Sequence, residues 1–357
     1  MANPAILHST TLGPLPLRNR ICMASLTRNR CTDANKPTLA SIHHYTDRAR
    51  YGARLTEGTF VYLNGAEWPH APVMFDKSHV EAWRKVTDGV HGVGGRILFQ
   101  PWHPGVFLSL ILMLMFGYTE NITEIEDPQV IVEQYRHSVA LAKEAGGYLL
   151  HNVLCSHSNN RTDEYGGSVE NRARFPLAIL DAMISVFGPQ SVGVKLCPSD
   201  DYNDSAVSFK EITETYTYYI NQIMAREVGF INLSRRGCDV SREGTDEYFK
   251  SSPRPEGLEL PAGYEPVQQF GGMIKYPGSK TMLMVNHEYS VEEAERVVRE
   301  GVVDLVAFGR PFIYNPDLVS RVRNGIPLAG NDLGGRVNYG PYETVDEYYN
   351  DWPRAVV

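Results

Sequence analysis

The chain has 357 residues, of which 43% are hydrophobic and 21% charged, and a formal net charge of −8. Such a composition excludes disordered, collagen-like and coiled-coil architectures. An acidic chain without a basic, aromatic-laced patch also argues against nucleic acid or an anionic membrane surface as main partner.

Short apolar runs recur at 20–24, 59–63, 96–100, 192–196, 230–233, 281–285 and 304–308. They are rich in Val, Ile, Leu and Phe without clean polar alternation, as parallel strands buried on both faces read. Helix signals stand between them. Ser78/Glu81, Ser208/Glu211 and Ser290/Glu293 have capping-box spacing. Asp127-Pro128 opens a helix toward residue 145. Ala173, Leu177, Leu180, Ile184 and Phe187 mark one helix face, which Gly188-Pro189 ends. Strands alternating with helices predict a parallel sheet, doubly wound or closed into a barrel. No GxGxxG follows the first run, which favours the barrel. Thr27, Gln100, His103, Lys195, Asn286, His287 and Arg310 follow the runs, at the end where either architecture builds its site. The segment 106–116, VFLSLILMLMF, falls short of the roughly 20 residues of a membrane span, so it reads as a buried strand or helix rather than a membrane contact. The five cysteines are scattered and form no CxxC pair, against a disulfide framework or zinc site. Residues 1–20 show no leader pattern, and a cytoplasmic protein is expected.

Several of these residues suggest chemistry. Gly309 and Arg310, with the loop 286–289, read as a phosphate cradle between the last two strands, although a Gly-Arg-Pro step alone is equally a turn. The Gln100 amide both donates and accepts, which suits the carbonyl and imide edge of a flavin or pyrimidine. Lys195 puts a cation at the end of a buried strand. His103 by itself also fits a structural imidazole. The run 156–175, SHSNNRTDEYGGSVENRARF, reads as an interlocked loop entering a helix, or as a solvated charged loop.

That run closely resembles the signature of the old yellow enzyme family, FMN-dependent ene-reductases. The resemblance continues in LGPLPLRNRICMASLTRNR, FQPWHPG, VGVKL, FGRPFIYNPDLVSRVRNGIPL and the segment beginning at Tyr339, with a fungal flavour. It implies one domain over 1–357, a (β/α)8 TIM barrel holding FMN, with NADPH as hydride donor. Ser25, Leu26 and Thr27 match positions beside the flavin ring, Ser25 where many members have Pro. Gly58 matches the small residue under the ring, Gln100 its pyrimidine partner, and Lys195 the cation at its N1/O2 edge. His287, Glu288, Gly309 and Arg310 match the phosphate loops, and Trp102 and Tyr339 line the substrate side. Hydride then passes from NADPH to FMN and on to the β-carbon of an enone or enal, with Tyr148 protonating the α-carbon. A monomer or homodimer is implied.

Two departures stand out. The family's fourth strand ends in a His-x-x-Asn or His-x-x-His pair that binds the substrate carbonyl, yet residues 141–146 run straight into Gly147-Tyr148. The long loop after the third strand is replaced by 106–116, which has no family counterpart. A missing or substituted fourth strand is therefore expected, filled by 148–154 or 106–116 or left open, because strand number, tilt and shear are linked. Weakened reductase activity is expected with it. An FMN-binding isomerase and a non-catalytic paralogue are the alternatives.

Overall fold

In the computed structural model, residues 4–50, 53–62, 68–103, 127–142, 153–201, 205–236, 254–330 and 342–355 are described. A hairpin comes first, β1 (Thr10–Leu12) against β2 (Leu15–Leu17), antiparallel. Its turn needs glycine: Gly13 has φ +51°, and a Cβ there would lie 1.9 Å from the Gln190 carbonyl oxygen. Seven strands follow: β3 (Ile21–Met23), β4 (Ala53–Phe60), β5 (Arg96–Trp102), β6 (Gly193–Leu196), β7 (Phe230–Ser234), β8 (Met282–Asn286) and β9 (Leu305–Phe308). They form a parallel sheet in the order β5-β4-β3-β9-β8-β7-β6.

Between the strands run α1 (Leu39–Ala49), α2 (Lys77–Gly92), α3 (Pro128–Ala142), α4 (Val169–Phe187), α5 (Phe209–Met224), α6 (Pro266–Ile274), α7 (Val291–Arg299), α8 (Pro311–Tyr314) and α9 (Leu318–Asn324). Ser208 and Ser290 cap α5 and α7 as expected, each hydroxyl accepting from the backbone N–H three residues on. Ser78 does not cap α2. The carboxylate of Asp76, two residues earlier, accepts from the Ser78 and His79 N–H groups instead. Gly188, at φ +76°, closes α4. The second strand begins six residues before the expected 59–63, because Arg54, Thr56 and Glu57 hide it from any hydropathy signal while parallel ladders define its backbone.

The two faces of the sheet separate by strict alternation. Ile21, Met23, Val194, Leu196, Ile231, Leu233, Leu283, Val285, Val306 and Phe308 join one core with apolar residues of α3 to α7. Their strand neighbours Cys22, Ala24, Leu98, Phe230, Met284, Leu305 and Ala307 form a second cluster with Leu12 and Leu17 of the hairpin. Residues from strands across the sheet meet in that second cluster, so the sheet curls, with the hairpin as plug. Both faces are buried, which is why the strands read as continuous apolar runs.

Among the described residues the sheet's edges are β5 and β6, the strands that would flank a fourth barrel strand. Residues 143–152 and 106–116 lie outside the described residues, so neither expected replacement is located. α3 packs directly on α4, with Ile131, Val132, Tyr135 and Val139 in the core that contains Phe175 and Ile179. No described helix is long and apolar enough to cross a membrane.

Candidate active site

The alternation that sends valines and leucines outward sends the other residues of each strand inward. On β5, Leu98 is inward, so Gln100 and Trp102 share its face; on β7, Phe230 is inward and Asn232 and Ser234 follow; on β8, Met284 is followed by Asn286. Lys195 alternates with outward Val194 and Leu196 on β6 and stands in register with Asn232. Ser234 pairs with Asn286, and Asn286 with Ala307. The inner face is therefore apolar toward the strands' N-termini and polar toward their C-termini. That polar end carries Gln100, Lys195, Asn232, Ser234 and Asn286.

Asn232 and Asn286 are 2% and 7% exposed, and the Oδ1 atom of each has no hydrogen-bond partner among the described residues. The buried Ser25 hydroxyl after β3 is in the same position. These three orphans, on β7, at the end of β8 and after β3, are polar groups that a donor on a bound ligand would satisfy. Neither Asn232 nor Ser234 stands out when the chain is read for charged and aromatic groups. Their signal is the period-two pattern Ile-Asn-Leu-Ser at 231–234.

Small residues keep this end open. Gly58 is buried opposite Gln100, and a Cβ there would come within 3.3 Å of the Trp102 ring. Trp102 itself stacks on Phe60, centroids 4.6 Å apart, beside Trp68, Ala71 and Val73. Gly309 follows β9 beside Leu26, whose side chain would sit 3.5 Å from an added Cβ, an ordinary contact. Packing therefore does not demand glycine at 309, and the bare backbone there is open to close approach by a ligand. Leu26 packs on Ile313, Tyr314 and Trp352, which joins the end of β3 to the α8 turn that starts at Arg310. Thr27 and Arg310 are half-buried.

At the end of β8, His287 and Glu288 have φ of +77° and +59°. Left-handed backbone costs a residue with a Cβ roughly 1–2 kcal/mol, so two in succession require support. Arg235, just past β7, supplies it with a bond from Nη1 to the Glu288 carbonyl oxygen at 3.2 Å. Burial drives the His103 imidazole down to about 4, so it is neutral near pH 7.

The signature loop is interlocked as expected. Arg172, 5% exposed, donates to the Leu154 carbonyl at 2.7 Å, the Gly167 carbonyl, Glu211 at 3.2 Å and Thr215 at 3.1 Å. Asn159 donates to the Val153 and Tyr165 carbonyls, both at 2.8 Å. Among the expected site residues, Gly58, Gln100 and Trp102 meet on β4 and β5, Leu26 lies where a side chain at Gly309 would meet it, and His287 and Glu288 share one turn. Tyr148 and Tyr339 lie outside the described residues.

The model of the NADH:flavin oxidoreductase / NADH oxidase family matches residues 6–110 and 132–329. A probable flavin mononucleotide-dependent alkene reductase of Leishmania infantum is 32% identical, with 98% of this chain and 97% of that protein covered. That alignment runs over 387 positions against 357 residues here, so at least 30 positions of the relative face no residue of this chain. A flavin oxidoreductase of Emericella nidulans is 29% identical, covering 96% of each chain. Among solved structures, morphinone reductase superposes with a TM-score of 0.79 at 26% identity, covering 99% of this chain and 97% of that one. The old yellow enzyme homologue of Zymomonas mobilis gives 0.79 at 24% identity, over 99% and 100%. The curled parallel sheet is thus that of a (β/α)8 barrel.

Proposed function

The chain belongs to the NADH:flavin oxidoreductase / NADH oxidase family as an FMN-dependent oxidoreductase of the old yellow enzyme type, and from that premise we propose that it reduces the activated C=C bond of an α,β-unsaturated carbonyl compound with NADPH. The observation that carries the reading is the polar inner end of the sheet, which carries Gln100, Lys195, Asn232 and Asn286 and where the Oδ1 atoms of Asn232 and Asn286 have no donor among the described residues.

The residues fit FMN. Ribityl hydroxyls and a ring imide N–H are the donors that orphaned Asn232, Asn286 and Ser25 oxygens call for. Gly58 and the Ser25–Leu26–Thr27 turn would flank the ring, Gln100 would pair with its pyrimidine edge, and Lys195 would balance negative charge there. His287, Glu288, Gly309 and Arg310 would hold the phosphate, with Trp102 and Tyr339 on the substrate side. When bound, FMN supplies hydride transfer between a nicotinamide and an alkene. The chain's own part is to orient the reactants and deliver a proton, which we assign to the Tyr148 hydroxyl, a phenol of ordinary pKa near 10 facing a developing enolate. The whole chain would act as one domain, in the cytoplasm, as a monomer or homodimer.

The absent carbonyl-binding pair supports weak turnover. Loss of one oxyanion donor costs about 10²–10³ in rate, and the 30 or more unmatched positions of the Leishmania relative are consistent with a shortened site. The same absence favours, as second reading, an FMN-binding isomerase or a ligand-binding paralogue. The experiment is anaerobic NADPH oxidation by the purified, flavin-loaded protein with and without cyclohexenone. Enone-dependent NADPH consumption, below the rate of an intact relative, is expected. Enone conversion without NADPH consumption would replace reduction by isomerisation, and no conversion at all would leave the binding role.

A further inference from the structure

Arg235 is one residue past β7 and its side chain is 11% exposed. Its Nε donates to Glu265 at 3.0 Å, and Nη1 to Glu293 at 3.0 Å, with Nη2 also on Glu293. Its guanidinium carbon lies 3.7 Å over the centre of the Tyr289 ring. Two carboxylates and an aromatic face therefore fix the guanidinium plane, and the contact left over is the Glu288 carbonyl. The Arg235 backbone N–H donates in addition to the Asn286 carbonyl at 3.1 Å. The turn 286–289, with its two consecutive left-handed residues, is thus bound to one residue at both ends. In a trans peptide the carbonyl and the N–H point in opposite directions. Anchoring the Glu288 carbonyl on Arg235 turns the Tyr289 N–H to the far side of the turn.

We propose that Arg235 is a positioning residue for the phosphate cradle: it holds the 286–289 turn in its strained form, so that the turn receives the FMN phosphate without first reorganising. This rests on the reading that 286–289 and 309–310 bind that phosphate. Arg235 itself does not bind it, because its charge is already committed to Glu265 and Glu293.

Riboflavin, which is FMN without the phosphate, separates the possibilities. The apoprotein, its Arg235→Lys variant and its Tyr289→Leu variant are titrated with FMN and with riboflavin, following flavin fluorescence. Lysine keeps the charge but cannot reach two carboxylates and a carbonyl with one ammonium. Arg235→Lys is expected to weaken FMN about 10- to 150-fold, the equivalent of losing one hydrogen bond to a charged group, and to leave riboflavin unchanged. Tyr289→Leu, which spares every carboxylate and is the milder test should the lysine variant not fold, is expected to weaken FMN alone by roughly 2- to 30-fold. Unchanged FMN affinity, or an equal loss for both flavins, overturns the role of Arg235. If the wild type itself does not prefer FMN to riboflavin, the phosphate reading falls, and the inference with it.

Discussion

Replacing Asn232 by leucine should move two quantities in opposite directions. Asn232 is 2% exposed on the inner face of β7, and its Oδ1 atom has no partner among the described residues. An unsatisfied buried acceptor costs about 1–3 kcal/mol, whereas an apolar group of similar branching carries no such cost. The apoprotein should therefore unfold in urea at the same or higher denaturant concentration after Asn232→Leu. With FMN the sign reverses. If a donor on the cofactor satisfies Oδ1, the variant forfeits that bond, and FMN should bind roughly 5- to 150-fold more weakly, the equivalent of about 1–3 kcal/mol. Flavin fluorescence titration and urea unfolding of the same apoprotein preparation measure both. FMN affinity equal to wild type would refute the inward orphan as a cofactor contact. A clear loss of apoprotein stability would show that Asn232 serves the fold instead.

Arg310→Glu sets a carboxylate against the expected phosphate and should weaken FMN by roughly 10- to 150-fold or more, from the loss of a charge-assisted bond; equal flavin content of variant and wild type after gel filtration would remove Arg310 from the cradle. Tyr148→Phe should slow the alkene half-reaction while FMN reduction by NADPH stays near wild type, because only the first needs a protein proton; stopped-flow traces with an unchanged alkene step would exclude it as donor. His103, held at about 4 by burial, stays neutral in the folded chain while the unfolded chain takes up a proton below its ordinary value near 6.5. Stability should fall as pH drops from 6.5 toward 4, by about 2 kcal/mol at pH 5. Urea unfolding at pH 7 and pH 5 should show a smaller loss for His103→Gln, and an identical loss in both proteins would acquit the imidazole.

Seven strands and most helices are legible from short Val/Ile/Leu runs and hydroxyl caps, since burial on both faces and local N–H satisfaction depend only on neighbouring residues. The signature at 156–175 is legible too, because Asn159 and Arg172 bond backbone carbonyls of the same stretch and its immediate approach: those of Val153, Tyr165, Gly167 and Leu154. What the chain does not disclose locally is where long side chains are spent. Glu211 and Glu293 have capping-box spacing, yet Glu211 serves Ser156 and Arg172 and Glu293 serves Arg235, partners 39 to 58 positions away.

Composition and pattern by themselves determined strands alternating with helices in a parallel sheet, with polar residues at the strand ends, because alternation and capping are properties of adjacent residues; closure of that sheet into a barrel came from the resemblance of its motifs and from the fold. Only the tertiary structure decided which of those polar groups share a surface. Asn232 joins that polar surface when β6, β7 and β8 come into register beside Lys195, and its Oδ1 is left without a donor among the described residues. Arg235 gains its role only because β7 and β8 are neighbours, so that one guanidinium can reach the turn after the next strand. Such contacts arise from the pairing of strands some 50 residues apart, and hydrogen bonding of that kind has no counterpart in local sequence.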